Sequence, residues 1–267
     1  MDFKLILFAV LIVSAVGLII GIVLAVASAL FAVSKDEKVE ALLEVLPGAN
    51  CGACGYSGCE GYAKALAKGE AALGKCSPGG EKTVKKIAVL LGQEAVEVEK
   101  KTALVHCLGS YDSTSNKMEY QGVRSCTAAS QLHGGVGMCK YGCMGLGDCA
   151  SVCPYGAITI CNGVAHIDPA VCRGCSLCVE ACPKKLISFV PLKEMAVVRC
   201  SNCQKGAEAR KACKTACIGC KKCEKVCEAG AVSIKNFLAY VDAEKCTGCM
   251  KCVEVCPEGS ITAFLPR

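Results

Sequence analysis

One stretch decides the fold of this chain: Cys172-Arg-Gly-Cys175-Ser-Leu-Cys178-Val-Glu-Ala-Cys182-Pro183. Its spacing, C-x2-C-x2-C-x3-C-P, is typical of loops that bind [4Fe–4S] clusters. Three thiolates of such a run bind one cluster, and the fourth reaches a neighbouring cluster. The run recurs over residues 246–257, and it recurs without the proline over residues 217–227, where Glu228 follows. Three runs favour iron–sulfur clusters over zinc sites or disulfides, because zinc sites rarely use four cysteines at this unbroken spacing.

The cysteine content also indicates metal binding. There are 26 Cys among 267 residues, and many of them stand in C-x-x-C patterns. In a chain of this length the pattern indicates metal ligation in a reducing compartment rather than a disulfide scaffold. The formal net charge is +6 with neutral thiols. Each cube with its four thiolates carries about −2, so the basic excess compensates for buried anionic clusters, and we expect no nucleic-acid partner.

The N-terminal segment, residues 1–34, predicts a membrane anchor. Residues 5–33 are almost entirely apolar, and the run exceeds the roughly 20 residues that span a bilayer. A cleaved signal peptide is the alternative, but the run is too long for its hydrophobic region. The flanking charges do not fix the orientation of the helix. The oxygen-sensitive thiolate sites indicate the orientation, because they need a reducing compartment. They predict a single-pass protein of the inner (plasma) membrane with residues after about 34 in the cytoplasm.

Residues 35–100 predict a small domain with its own cluster. An amphipathic helix over 35–46 leads into Cys51-Gly-Ala-Cys54-Gly-Tyr-Ser-Gly-Cys59, and Cys76 follows. The glycines let the loop fold tightly around a cube and direct N–H groups at its sulfurs. This spacing predicts a first [4Fe–4S] cluster on these four cysteines, with a zinc knuckle as the alternative. Residues 81–100, a Lys/Glu-rich helix that carries Val84, Ile87, Ala88 and Leu91 and then a polar connector, end the domain.

The remainder of the chain contains an internal repeat. Eight cysteines of residues 139–182 each have a counterpart 74 residues later, and Ala103-Leu-Val-His-Cys107 echoes Ala196-Val-Val-Arg-Cys200. A constant offset over eight positions indicates that one unit was duplicated. We therefore predict an α+β fold in which the N-terminal transmembrane helix and the four-cysteine domain precede two tandem ferredoxin-like two-cluster modules, residues 101–192 and 193–267.

The two copies differ at one informative position. Leu146 stands where the second copy has Cys220. We expect Cys139 to replace the missing third ligand, and the alternative is a damaged site that binds a [3Fe–4S] cluster or none. With the crossed fourth ligand of two-cluster ferredoxins, the predicted ligand sets of clusters two to five are Cys139, Cys143, Cys149 and Cys182; Cys172, Cys175, Cys178 and Cys153; Cys217, Cys220, Cys223 and Cys256; and Cys246, Cys249, Cys252 and Cys227.

Six cysteines have no place in these five sets: Cys107, Cys126, Cys161, Cys200, Cys203 and Cys213. They are either buried thiols that pack as small apolar side chains or part of a sixth cluster, for which Cys200, Cys203 and Cys213 are the candidates. The three His residues have no metal-ligand spacing, so we expect structural roles for them. The sequence has no P-loop, no G-x-G-x-x-G after a strand and no nucleophile–base constellation, so we expect electron transfer and no catalytic residues on this chain.

The apolar N-terminus, the CGACGYSGC motif with its fourth cysteine and the paired cluster runs together resemble the B subunit of the Rnf complex, in its longer form with two ferredoxin modules. The resemblance covers essentially the whole chain. It implies an electron-transfer component of a membrane-bound ferredoxin:NAD oxidoreductase that translocates Na⁺ or H⁺. Its partners would be soluble ferredoxin, the other membrane subunits and the lipid bilayer. A membrane-tethered polyferredoxin that serves another redox enzyme, such as a hydrogenase, is the alternative.

Overall fold

The computed structural model describes residues 3–30 and 36–266 of the chain. These residues form helices and short strands, so the predicted mixture of helix and strand is confirmed. The chain divides into two compact units, Met1–Glu40 and Ala41–Arg267. The finer division into an anchor, a four-cysteine domain and two modules stays a prediction.

The first unit is dominated by one long apolar helix, α1 (Phe3–Leu30). Within it, Val10–Ala27 has a mean hydropathy of 3.0, and none of that segment is buried. A helix of 28 residues is about 42 Å long, which is enough to cross a hydrocarbon core of about 30 Å. The helix is therefore a candidate membrane span, and residues 31–33 of the predicted span lie outside the described residues.

Three helices flank the four-cysteine segment in sequence: α2 (Glu37–Val45), α3 (Cys59–Ala67) and α4 (Gly80–Leu91). Each buries apolar side chains, and Leu42, Tyr62 and Ile87 are each 1% exposed. The structure confirms the predicted Lys/Glu-rich helix that carries Val84 and Leu91, and the polar connector follows it. The helix α4 ends at Gly92, whose φ of 64° gives the left-handed cap that glycine adopts without a Cβ penalty.

The first copy of the repeat begins and ends with strands that pair with each other. Its elements are β1 (Lys101–Val105), α5 (Cys126–Ser130), α6 (Asp148–Ser151), β2 (Ile158–Cys161), β3 (Val164–Ile167), α7 (Leu177–Ala181) and β4 (Ile187–Pro191). Strand β1 pairs antiparallel with β4, and β2 pairs antiparallel with β3. The β2–β3 hairpin turns through Asn162 and Gly163, and both have the positive φ that a two-residue type I′ turn requires.

The second copy repeats this order. Its elements are β5 (Met195–Val198), α8 (Gly206–Ala212), α9 (Lys222–Lys225), β6 (Val232–Lys235), β7 (Leu238–Val241), α10 (Lys251–Glu254) and β8 (Ile261–Phe264). Strand β5 pairs antiparallel with β8, and β6 pairs antiparallel with β7. Helices of four to seven residues are too short to be stable alone, so tertiary packing and metal sites must stabilise them.

The two copies are joined by direct hydrogen bonds as well as by the chain. The Nε of Arg199 donates to the carbonyl oxygen of Val105 at 2.7 Å, and the hydroxyl of Thr114 donates to the carbonyl oxygen of Ala212 at 2.7 Å. Apolar residues of β1 and β4 also pack against residues of β5 and β8. These contacts fix how the cysteines of one copy face those of the other.

Candidate iron–sulfur centres

Four thiols lie close together around α3, and they come from the loop before the helix, its first residue and the segment after it. They are those of Cys51, Cys54, Cys59 and Cys76. Burial raises the pKa of the Cys76 thiol, and the three neighbouring thiols raise it further. The loop depends on Gly58, because a Cβ there would stand 2.9 Å from Oδ1 of Asn50. That oxygen accepts the N–H of Cys59 at 2.8 Å and so holds the start of the helix against the loop.

A second group of thiols surrounds the start of α7. The cavity there is lined by the predicted ligands Cys153, Cys172, Cys175 and Cys178. Burial raises the pKa of Cys178 to about 12, and the other three thiols add to the rise. The N–H of Ala103 donates to the sulfur of Cys172 at 3.5 Å. The structure thus brings this predicted set together, including the crossed ligand from the earlier run.

Both predicted sets of the second copy are also brought together. One cavity is lined by Cys217, Cys220, Cys223 and Cys256. Burial raises the pKa of Cys223 to about 11, and the nearby thiol of Cys217 contributes. Cys252 lies beside the other three members of its own set, Cys246, Cys227 and Cys249. The N–H of Ala231 donates to the sulfur of Cys227 at 3.3 Å.

The remaining set differs from the prediction at one position. The cavity beside α6 is lined by Cys126, Cys143, Cys149 and Cys182, and Cys139 lies in a different cavity. Burial raises the pKa of Cys149 to about 12, with contributions from the thiols of Cys143 and Cys126. The structure therefore supplies a fourth thiol to the site that Leu146 left incomplete, and this thiol is Cys126 instead of Cys139.

Asp148 explains why Cys126 reaches this site. Its Oδ1 accepts the N–H of Cys126 at 2.8 Å. Its Oδ2 accepts the hydroxyl of Ser125 and both the N–H and the hydroxyl of Thr127, each at 2.9 Å. Because Asp148 precedes Cys149, these four bonds hold the inserted segment directly beside a second ligand. Leu146 packs against the apolar cluster that contains Cys126, so the leucine supports the segment that supplies the missing thiol.

Comparison with known proteins agrees with this geometry. A family model for an Fe-S cluster matches residues 46–78, which contain the first thiol set. A 4Fe-4S binding domain matches residues 165–188, and a 4Fe-4S dicluster domain matches residues 216–261. The structure therefore contains domains that bind [4Fe–4S] clusters.

Similar proteins extend the comparison to most of the chain. The B subunit of a Na(+)-translocating ferredoxin:NAD(+) oxidoreductase complex of Acetobacterium woodii is 42% identical over 230 residues, which cover 86% of this chain and 69% of the relative. The chain belongs to the family of B subunits of ion-translocating oxidoreductase complexes. The B subunit of such an ion-translocating complex in Methanosarcina acetivorans is 37% identical over 86% of this chain and 87% of the relative. The B subunit of a proton-translocating ferredoxin:NAD(+) oxidoreductase complex of Clostridium ljungdahlii is 38% identical over 85% of this chain and 81% of the relative.

Four further thiols line one cavity at the junction of the two copies. They are those of Cys107, Cys139, Cys200 and Cys213. Of the three cysteines suggested for a sixth cluster, Cys200 and Cys213 line this cavity. Cys203 does not, and its thiol donates to the carbonyl oxygen of Ser201 at 3.7 Å. Cys161 is exposed at the end of β2. Sequence reasoning missed Cys107 because its set combines two distant pairs.

His106 has a structural position between the two copies. Its Nδ1 donates to the carbonyl oxygen of Val198 at 2.6 Å, and its Nε2 accepts from the hydroxyl of Ser188 at 2.6 Å. The tautomer follows from the partners, since a carbonyl oxygen can only accept. Burial lowers the pKa of this imidazole, so the ring is neutral and links the two copies. Neither nitrogen is free to bind a metal.

The thiol sets suit clusters better than single ions. Among residues 3–30 and 36–266, no three His, Cys, Asp or Glu side chains stand at the spacing that would hold one metal ion. Thiolates on a cube lie farther apart than thiolates on one zinc, because each binds a different iron. Backbone N–H groups also point at several ligand sulfurs, which stabilises the negative charge of bound thiolates. Burial raises the pKa of the Cys149 and Cys178 thiols, so these two ligands are protonated without iron and release their protons when a cluster binds.

Proposed function

We propose that this chain is the point of electron entry in a ferredoxin:NAD oxidoreductase that translocates Na⁺ or H⁺. It accepts electrons from reduced soluble ferredoxin and passes them to the other membrane subunits. The family supports this proposal, since the Acetobacterium woodii and Clostridium ljungdahlii relatives are subunits of ferredoxin:NAD(+) oxidoreductase complexes. When bound, [4Fe–4S] clusters accept and release single electrons, which is the chemistry that such a protein needs.

One observation carries the proposal: the thiol sets form a series of direct neighbours. Cys175 lies close enough to Cys51 for the two thiols to interact electrostatically, and Cys149 interacts with Cys178 in the same way. A Cβ on Gly174 would stand 3.5 Å from the Cβ of Ser77, so the first copy contacts the four-cysteine segment closely. The four-cysteine site and both sets of the first copy are therefore adjacent, as a relay requires.

We assign five clusters to the sets described above, with Cys126 in place of Cys139. The residues around each set do two things that electron transfer needs. Buried thiols such as Cys178 and Cys223, 7% and 6% exposed, exclude water from the ligands. The N–H groups of Ala103 and Ala231 fix sulfur positions, so little rearrangement is needed when the charge changes.

The anchor helix supports a position at the membrane for the whole chain. We propose that residues after about 34 lie in the cytoplasm, because thiolate clusters need a reducing compartment. Soluble ferredoxin is present on that side and can reach the modules, and the anchor keeps the N-terminal site close to the partner subunits. The two-module arrangement, residues 101–192 and 193–267, also belongs to this proposal.

The test measures electron entry and its destination. We expect anaerobically purified full-length chain to oxidise reduced ferredoxin on rapid mixing, with bleaching of the visible cluster absorbance. Membranes that contain the complete complex should reduce NAD⁺ with ferredoxin electrons. The variant Cys178→Ser should slow ferredoxin-dependent NAD⁺ reduction at least tenfold. The control Cys161→Ser changes an exposed cysteine outside all sets and should leave that rate unchanged.

Two outcomes would overturn the proposal. One is full ferredoxin-dependent NAD⁺ reduction in membranes that lack this chain. The other is co-purification with a hydrogenase and without membrane partners, which would assign the chain as a polyferredoxin of another enzyme.

A further inference from the structure

The cavity at the junction of the two copies is lined by four thiols that the five cluster sets do not use. Cys139 is the central member, since it interacts electrostatically with Cys213, Cys200 and Cys107. The sulfurs of Cys107 and Cys213 both lie within 3.6 Å of the point where a Cβ on Gly109 would stand. The four thiols therefore converge on one space although they come from four separate segments.

The backbone around these thiols is the same in both copies. The sulfur of Cys107 accepts the N–H groups of Gly109 and Cys143, each at 3.3 Å. The sulfur of Cys200 accepts the N–H of Asn202 at 3.4 Å and the N–H of Cys217 at 3.3 Å. In each copy the donors are the residue two positions later and the first cysteine of the cluster run. A repeated pair of donors around each sulfur indicates a built ligand position.

The second thiol of each pair follows the same symmetry. Cys139 precedes Cys143 by four residues, and Cys213 precedes Cys217 by four residues. Each copy thus contributes two thiols, each of which has its equivalent in the other copy, and neither copy alone supplies four. The complete set exists only where the copies meet, which is why it does not form a run in the sequence.

The lining of the cavity suits an anionic cluster. Asn202 is 1% exposed, and its side-chain amide donates to the sulfur of Cys139 at 3.6 Å while its N–H donates to Cys200. The guanidinium of Arg199 lies close enough to Cys107 to interact with its charge. The cavity volume is about 40 Å³, compared with about 20 Å³ beside α6, where four thiols also converge.

We propose that Cys107, Cys139, Cys200 and Cys213 bind a sixth [4Fe–4S] cluster between the two copies. Its neighbours are one hydrogen bond away on each side, through the N–H of Cys143 in the first copy and that of Cys217 in the second. If the proposed relay function holds, this cluster connects the two copies electrically. The site itself does not depend on that function.

The experiment counts iron and acid-labile sulfide on the full-length chain, purified without oxygen. Six cubes predict about 24 of each per chain, and five predict about 20. The main variant is Cys213→Ser, because Cys213 belongs to none of the five other sets. We expect it to lose between about one and four iron atoms, with a new [3Fe–4S] signal in electron paramagnetic resonance if one iron is lost. The matched control, Cys203→Ser, should keep the wild-type count.

A second variant guards against misfolding. Cys107→Ser changes a ligand that the first copy contributes to the same cavity, and we expect the same loss with unchanged counts for the remaining clusters. A wild-type count near 20 that Cys213→Ser leaves unchanged would overturn the proposal, and so would one equivalent of zinc that is lost in Cys213→Ser. Neither result involves ferredoxin, so a failure of the site is distinguishable from a failure of ferredoxin oxidation.

Discussion

Asp148 gives the sharpest test of how the first copy completes its cluster site. It accepts four hydrogen bonds from the inserted segment, and three of them go to Oδ2. In Asp148→Ala no acceptor oxygen remains, so all four bonds are lost. A bond to a charged acceptor contributes about 1.5–3 kcal/mol, which we reduce to about 1 kcal/mol each because part of this contact faces solvent. The segment is then destabilised by about 4 kcal/mol.

That energy predicts the size of the effect. Every 1.4 kcal/mol changes an equilibrium tenfold, so the open population of the segment with Cys126 should rise roughly 700-fold. Because Cys126 can be alkylated only when it leaves the site, its alkylation rate should rise by the same factor. Mass spectrometry of the anaerobic, cluster-loaded chain measures this rate at the single cysteine. Mild oxidation should also convert this site to [3Fe–4S] faster than in wild type.

The control is Asp242→Ala. Its carboxylate accepts the N–H of Glu244 at 2.9 Å and pairs with Lys245 at 3.8 Å, and it has no contact with an inserted segment. We expect wild-type alkylation of Cys126 in this variant. A rate increase of less than about threefold in Asp148→Ala, given the tenfold per 1.4 kcal/mol scale, would refute the role assigned to Asp148.

Three further predictions concern the loops and the metal. Gly219→Ala should destabilise the chain by more than about 2 kcal/mol, because its Cβ would stand 2.8 Å from the carbonyl oxygen of Phe237. In the control, Gly230→Ala, the new Cβ meets no atom within 4 Å, so the left-handed backbone should cost only about 1 kcal/mol. Thermal melting of the two variants compares these losses of stability. Gly58→Ala should remove about four iron atoms per chain, measured by iron analysis, since its Cβ would collide with Asn50; a full count would contradict this. Chelating the iron should unfold the short helices, which circular dichroism would show as lost ellipticity.

Sequence alone predicted the thiol groupings that lie within one run. Successive cysteines of such a run, for example Cys172, Cys175 and Cys178, are three residues apart, so the chain itself brings them into one loop. The repeat then placed equivalent groups in the second copy, and the combination of motifs identified the family, which the relatives confirm. The ligand assignments themselves stay predictions until iron is counted.

Cys126 could not be placed from spacing, because it lies 17 residues before Cys143 in a segment that the second copy lacks. Its position depends on Asp148, and only the folded chain shows that contact. One signal was present in the sequence. The counterpart of Asp148 in the second copy is Lys222, so the acidic residue occurs only in the copy that has the insert and lacks a cysteine.

The thiols at the junction show a different limit of sequence reasoning. Cys107 and Cys139 are separated by 31 other residues, and their partners Cys200 and Cys213 belong to the other copy. Convergence depends on how the copies pack, through contacts such as that between Arg199 and Val105. No periodicity within one copy encodes that packing.

The pairing of the first and last strand in each copy has an evolutionary consequence. Strand β1 lies beside β4, and β5 lies beside β8, so each copy starts and finishes at the same edge. Residues 192–194 are therefore enough to join the two. An ancestral gene could be duplicated in tandem without redesigning either product. Each product would carry two thiols that belong to none of its own cluster sets. The duplication would bring the four thiols together into a ligand set that the single-copy ancestor lacked.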